Sequence, residues 1–332
     1  MKYARKAIAL MLAVIMMAAC GVSAASAASG SEKEMIGALN VSPYGLTDVE
    51  FSSSMVLDKT EASGKTYTSV ASAGRAMRKA MKNRVQNIVI DIKVKDNNIL
   101  SDPNGAKLMR SVYNYAIKHT GKPDEGDFLA MNVGGSLQFT GRASVSGLCT
   151  GRIVYNADYY MSASQAKEFE TKLRTTLKSL NLSGKSDYQK IKKVYDWECK
   201  NIAYDSKSKG NVKYSSYAAL NKKYAVCQGY ASLFYRMMLE LGVDARVITG
   251  YSNTQNHAWN IVKLNGRYYN CDATWDAGTN GQYRYFLKNS VAFYDHVRES
   301  KYMTPAFIRE YPMSVSNYGG SMLDPFGVLA TA

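Results

Sequence analysis

Residues 226–242 read Val226-Cys227-Gln228-Gly229-Tyr230-Ala231-Ser232-Leu233-Phe234-Tyr235-Arg236-Met237-Met238-Leu239-Glu240-Leu241-Gly242. Cys227, Tyr230, Ala231, Phe234, Met238 and Leu241 recur at helical spacing and form one apolar stripe. Gly242 follows the last of them, as expected of a left-handed helix stop. The pattern predicts a helix that begins at Cys227. Its sulfur then lies in the first turn, where the positive end of the helix dipole favours thiolate over thiol. Gly229, two residues on, leaves room for another chain segment or a substrate to approach closely.

Residues 243–250 read as a strand and 252–256 as a polar loop. A hairpin runs from His257 to Asp272 around Asn265-Gly266, the strongest two-residue turn signal. The turn pairs 264 with 267, 262 with 269 and 259 with 272. His257 and Trp259 share a face because side chains alternate along a strand. His257 and Asp272 are then diagonal neighbours, about 7–8 Å apart at the backbone and within side-chain reach. A carboxylate beside an imidazole fixes its tautomer, and an imidazole beside a helix-start thiol forms a thiolate–imidazolium pair. Cys227, His257 and Asp272 therefore fit the roles of nucleophile, base and orienter. The papain spacing, with His roughly 130–150 residues after Cys, is excluded.

These residues, with their neighbours His257-Ala258-Trp259-Asn260 and Tyr269-Asn270-Cys271-Asp272-Ala273-Thr274-Trp275-Asp276, resemble the transglutaminase-like superfamily, and most closely its exported bacterial members. The resemblance covers roughly 186–300 and includes Tyr285-Phe286-Leu287 and Asp295-His296. It implies an α+β fold with a papain/transglutaminase-like core, the nucleophile helix packed on an antiparallel sheet, preceded by a small α+β domain. It also implies a thioester on Cys227, with His257 as base and Asp272 as orienter. That chemistry requires no metal or other cofactor, although some relatives use calcium. The backbone N–H of Cys227 is one oxyanion donor candidate; Tyr217, Tyr224 and Gln255 are candidates for the second. Gln228, Gly229, Trp259 and Trp275 are candidates for the cleft, with at least one tryptophan expected in the core. Cys271 must face away from Asp272 and pack. His119 and His296 lack a comparable constellation and read as surface residues.

Outward from this stretch, the chain of 332 residues is 46% hydrophobic and 21% charged, the proportions of a packed globular protein. Three histidines make a His-rich metal protein untenable. Lys2, Arg5 and Lys6 precede an uncharged apolar run from Ala7 to Cys20, too short to span a bilayer comfortably and typical of an export signal. Met17-Ala18-Ala19-Cys20-Gly21 resembles a lipoprotein box that would lipidate Cys20. Ala25-Ser26-Ala27 offers ordinary cleavage instead, and the two alternatives stay open. The net charge of +15 suits an exported protein drawn to anionic wall polymers or lipid headgroups. No RNP-like strand, zinc finger or basic helix points to nucleic acid. Cys149, Cys199, Cys227 and Cys271 show no C-x-x-C pairing, so most are expected to be small core residues.

The organisation read from composition is an export signal at 1–27, a flexible Ser/Ala/Gly-rich tether at 28–43 and an α+β domain at 44–160. A connecting helix at 161–185, the catalytic domain at 186–300 and a C-terminal tail at 301–332 follow. Within the first domain, Ala76, Met77, Ala80 and Met81 mark one helix and Ala106 to Ile117 another. Ile88, Ile90, Ile92 and Val94 alternate as a strand, with further strand-like runs at 127–133, 135–140 and 151–160. Ser162-Ala163-Ser164-Gln165 and Ser186-Asp187-Tyr188-Gln189 are capping boxes that open two later helices.

The expected function is acyl transfer from glutamine side chains or peptide amides of envelope proteins. A protease or amidase of the same fold, or a silent wall-binding module, are the alternatives. Oligomeric state is not legible.

Overall fold

The computed structural model describes residues 32–49 and 64–319. The described residues from Lys33 onward form one compact unit. Its first layer is a six-stranded sheet of β1 (Lys33–Ser42), β2 (Gly45–Val49), β3 (Thr66–Tyr67), β4 (Asn87–Lys95), β5 (Val133–Ala143) and β6 (Leu148–Tyr159), in the order β2-β1-β5-β6-β4-β3. All pairs are antiparallel except β3 with β4. Ile88, Ile90, Ile92 and Val94 point inward as their alternation requires. They meet Met77 and Met81 of helix Val70–Lys82 and Met109 and Val112 of helix Ala106–Ala116. Each such buried side chain is worth about 1.5–3 kcal/mol.

Residues 33–42 are not a tether. They form β1, paired with β5 from Lys33↔Ala143 to Val41↔Gly135, with Met35, Leu39 and Val41 buried. The small residues around them masked an alternation that the sheet uses. The run 127–133 is likewise mostly helix, Asp127–Asn132. Phe128-Leu129-Ala130-Met131 is buried on every side, and a short continuous apolar run has no periodicity to separate helix from strand.

The second core gathers helices Ala163–Leu180, Asp187–Asn201 and Cys227–Glu240. Both expected capping boxes are present, at Ser162/Gln165 and Ser186/Gln189. The stretch 161–185 is therefore more than a connector, since Phe169, Leu173 and Leu180 pack into this core. The Cys227 helix is buried from residue 227 to 239 on all faces, not along one stripe. Arg236 inside it is held at 2.9 Å by both Glu170 oxygens, which ties the helix to its neighbour.

A four-stranded antiparallel sheet completes the unit: β9 (Ala245–Ser252), β10 (Gln255–Leu264), β11 (Arg267–Cys271) and β12 (His296–Arg298), in the order β11-β10-β9-β12. Two short parallel strands, β7 (Ala203–Tyr204) and β8 (Tyr224–Ala225), stand apart from it. The hairpin register is the one the Asn265-Gly266 turn demands, with Leu264↔Arg267, Val262↔Tyr269 and Asn260↔Cys271. Residues 301–319 pack against this region instead of trailing as a tail. Tyr302 and Tyr311 are buried with Trp259 and Ile261, and Tyr318 stacks on Tyr188. Among the described residues no helix is long and apolar enough to cross a membrane. Residues 1–27, including Cys20, lie outside the described residues.

Candidate active site

Cys227 opens its helix directly after an extended Val226, so its sulfur stands at the helix entrance. Gly229 makes that entrance possible. A Cβ there would meet the Ser215 carbonyl oxygen at 2.9 Å and the Ala225 Cβ at 2.8 Å, so backbone, not substrate, fills the space.

His257 lies on β10 and Asp272 just past β11, where it caps the short helix Ala273–Asp276. The diagonal predicted from the turn becomes a contact of 2.6 Å between His257 Nε2 and Asp272 Oδ2. Both groups are buried. The contact uses Nε2 and leaves Nδ1 for the thiol. Burial alone would depress the His257 imidazole. The Asp272 carboxylate outweighs it, and with the Cys227 thiol adding to its effect the value is pushed up to about 10. Asp272 shows the mirror image. Burial would raise its carboxyl, but His257 and then His296 hold it well below the ordinary carboxylate range.

Asp272 is fixed from several directions. Its Oδ1 accepts the backbone N–H groups of Thr274 and Trp275 at 2.8 and 3.3 Å, and its carbonyl accepts the Tyr195 hydroxyl at 2.7 Å. A second imidazole, His296, lies 3.0 Å from Oδ2 through its own Nε2. Its Nδ1 meets Asp295 Oδ1 at 2.7 Å, and Asp295 Oδ2 accepts the Tyr285 hydroxyl at 2.7 Å. His296 is thus buried beneath the site and is not a surface residue. What puts it there is β12 pairing with β9, a close approach that Gly250 alone permits, since a Cβ at 250 would fall 2.0 Å from the Val297 carbonyl oxygen. Ligand atoms of His257, Asp272 and His296 fall within 4.8 Å of one another, a separation that would suit a metal. The 2.6 and 3.0 Å contacts are direct hydrogen bonds in which both Nε2 atoms already engage the same carboxylate oxygen.

The remaining predicted positions divide. Trp275 is half-buried beside His257 and His296, with ring centroids 5.7 and 4.8 Å apart, and walls the site. Trp259 is a core residue whose indole N–H reaches Asn270. Gln228 does not line the cleft; its amide donates to the Met131 carbonyl at 2.6 Å and pins the Cys227 helix to helix Asp127–Asn132. Tyr217 donates to Glu168 at 2.9 Å, which turns its hydroxyl to helix Ala163–Leu180. Gln255 is exposed at the start of β10, and Tyr224 is exposed on β8. Cys149, Cys199 and Cys271 are free and buried; burial pushes the Cys149 thiol up to about 11, and the other two rise further still. His119, also read as a surface residue, bridges Tyr235 and Asp244 at 3.1 Å each.

One residue at the sulfur had no sequence signal. Tyr44, in the turn between β1 and β2, places its hydroxyl 3.9 Å from Cys227 Sγ across 183 positions of sequence. Burial, followed by the Cys227 thiol, holds that phenol well above its ordinary value. Tyr204 and Tyr214 lie within electrostatic reach of Tyr44, and Tyr204 also of Cys227.

Residues 174–273 match the family described as the transglutaminase-like superfamily. The kyphoscoliosis peptidase of Mus musculus is 30% identical over 154 residues, covering 41% of this chain and 23% of that protein. The Homo sapiens protein is 29% identical over 157 residues, covering 42% and 23%. This chain therefore spans less than a quarter of the length of the curated relatives it matches. A solved structure described as a TGase is 13% identical, covers 60% of this chain and 54% of that one, and superposes with a TM-score of 0.29. The matched segment, residues 174–273, contains Cys227, His257 and Asp272 in the order read from the sequence, and it is this segment that is transglutaminase-like.

Proposed function

We propose that the chain is an exported cysteine acyl-transfer enzyme in which Cys227 is the nucleophile, His257 the base and Asp272 the orienter. The observation that carries this reading is the 2.6 Å His257–Asp272 contact with the other face of the imidazole turned to a helix-start thiol. Cys227 Sγ, as thiolate, attacks the carbonyl carbon of a glutamine side chain or peptide amide. The backbone N–H of Cys227 is the candidate donor to the forming oxyanion, and the Tyr44 hydroxyl stands 3.9 Å from the attacking sulfur. The His257 imidazolium gives its proton to the departing nitrogen, the C–N bond breaks, and an acyl thioester remains. Water or an amine then adds to the thioester carbonyl, returns a proton to His257 and releases Sγ as thiolate. No step needs a metal.

Export through the 1–27 leader, with lipidation of Cys20 or cleavage after Ala27, belongs to the same proposal. So do an envelope protein or peptide as substrate and anionic wall polymers or lipid headgroups as surroundings. Hydrolysis is the second reading, favoured by the name peptidase carried by the mammalian relatives. Incubation with a glutamine-containing peptide and a labelled primary amine separates the two: incorporation supports transfer, whereas deamidation or cleavage alone supports hydrolysis. A silent wall-binding module would leave Cys227 no more reactive toward iodoacetamide at neutral pH than an ordinary thiol.

A further inference from the structure

Beside Cys227 the surface carries a groove that the proposed chemistry does not use. It has two hollows, of about 450 and 620 Å³, which share Tyr204 and Tyr224 as their common wall. The first borders Thr274, two residues past Asp272. Lys200 and Lys223 line the first, and Lys207, Lys209, Lys213 and Lys222 line the second. None of the six is in an ion pair with a carboxylate among the described residues. Lys213 donates to the Ser208 carbonyl, while Lys222 and Lys223 lie over the Tyr217 and Trp197 rings. At Lys223, burial first and then Lys172 push the ammonium down to about 8, with the buried Glu198 carboxylate opposing them. The acidic groups nearby are occupied or hidden. The Asp205 carboxylate accepts the N–H groups of Lys207 and Ser208, Glu168 accepts Tyr217, and Glu198 is buried behind the wall.

The backbone adds a second element. β7 and β8 form a sheet of two strands only. Ala203 and Asp205 donate their N–H groups to Lys223 and Ala225, so the N–H and C=O of Tyr204 between them point to the opposite edge. An unpaired strand edge flanked by lysines suits an extended peptide, which adds as a further strand while its side chains reach the ammonium groups. β8 runs directly into Cys227, two residues past Ala225, and the Val226 N–H donates to the Lys213 carbonyl at 3.2 Å, so the groove lies at the entrance of the Cys227 helix.

We infer that this lysine-lined groove binds an acidic peptide segment of the acyl donor, laid along the free edge of β7 so that its amide meets Cys227. The inference deepens the proposed function and rests on it for the word donor, but not for binding. It is tested on the full chain carrying Cys227→Ala, so that no turnover intervenes. The probes are fluorescein-labelled decapeptides with a central glutamine flanked by glutamates or by serines, read by fluorescence anisotropy at low salt. The glutamate peptide is expected to bind at least about tenfold more tightly than the serine peptide, with an affinity that falls as salt rises. Lys207→Glu/Lys209→Glu/Lys222→Glu should remove that preference, and the matching Lys→Arg triple should keep it. Reversal of Lys93 and Lys95, exposed on β4 and outside the lining of both hollows, should change binding less than twofold. Equal affinity for the two peptides would overturn the inference, as would an equal loss from the β4 reversals. Tighter binding of poly(glycerol phosphate) than of the glutamate peptide would overturn it in favour of an anionic polymer. Because binding is read without a nucleophile, failure of the groove and failure of the Cys227 chemistry give different results.

Discussion

The hairpin that carries His257 and Asp272 and the six-stranded sheet that carries Tyr44 both reach Cys227, but by opposite routes. In the hairpin, two residues 15 positions apart are brought to 2.6 Å by one Asn-Gly turn, and burial with further hydrogen bonds then fixes them. In the sheet, a turn 183 positions from the thiol arrives only because two cores pack as one unit. The local route commits the site to a geometry; the long route decides what stands over it.

The largest effects are expected on the local side. Asp272→Asn should lower turnover about 10³-fold, because the imidazole loses both its orientation and the charge that supports its proton. The same change should move the alkaline limb of the pH–rate profile. His257 must be protonated to release the leaving nitrogen, so activity in the parent falls as pH rises through about 10. Without the carboxylate that limb drops toward the ordinary imidazole value of about 6.5. The stability linkage has the same sign. A raised imidazole contributes stability in full below about 6.5, and that contribution is lost as pH rises through about 10. A melting temperature that declines between about pH 6.5 and 10 in the parent, and changes less over that range in Asp272→Asn, would check it.

Two stability effects come next. Removing the second imidazole with His296→Ala leaves Asp295 and Asp272 facing a buried gap, at a cost of about 3 kcal/mol by denaturant titration. Gly250→Ala should reproduce part of that loss, since the added methyl group displaces β12 and His296 with it. The smallest effect is on the long route. Tyr44→Phe keeps the ring and removes the hydroxyl, so kcat is expected to fall by about fivefold with little change in stability, the scale of one hydrogen bond. An unchanged kcat would reduce the sheet's part in the site to packing.

How much of this was legible follows the same division. The Cys227 helix, the hairpin register and the approach of His257 to Asp272 depend on neighbours in sequence, where periodicity and turn chemistry operate. His296 reads as a surface residue in the sequence because β12 is three residues long and shows no alternation; its position is set by a missing Cβ at Gly250 on another strand. Tyr44 had no signal, as its neighbours Pro43 and Gly45 describe only a turn. Tyr217 and Gln228, candidates for the oxyanion donor and the cleft, are each drawn elsewhere by a partner, Glu168 and the Met131 carbonyl. β1 was concealed by composition, and helix Asp127–Asn132 by burial on every side.

The most direct measurement is rapid acid quench of the enzyme with a glutamine-containing peptide, followed by intact-mass analysis and peptide mapping. The account predicts an acyl adduct, labile to hydroxylamine, on the peptide that contains residue 227, with none in Cys227→Ala and far less in His257→Ala. Turnover with no adduct at 227, or an adduct that forms equally well without His257, would contradict it.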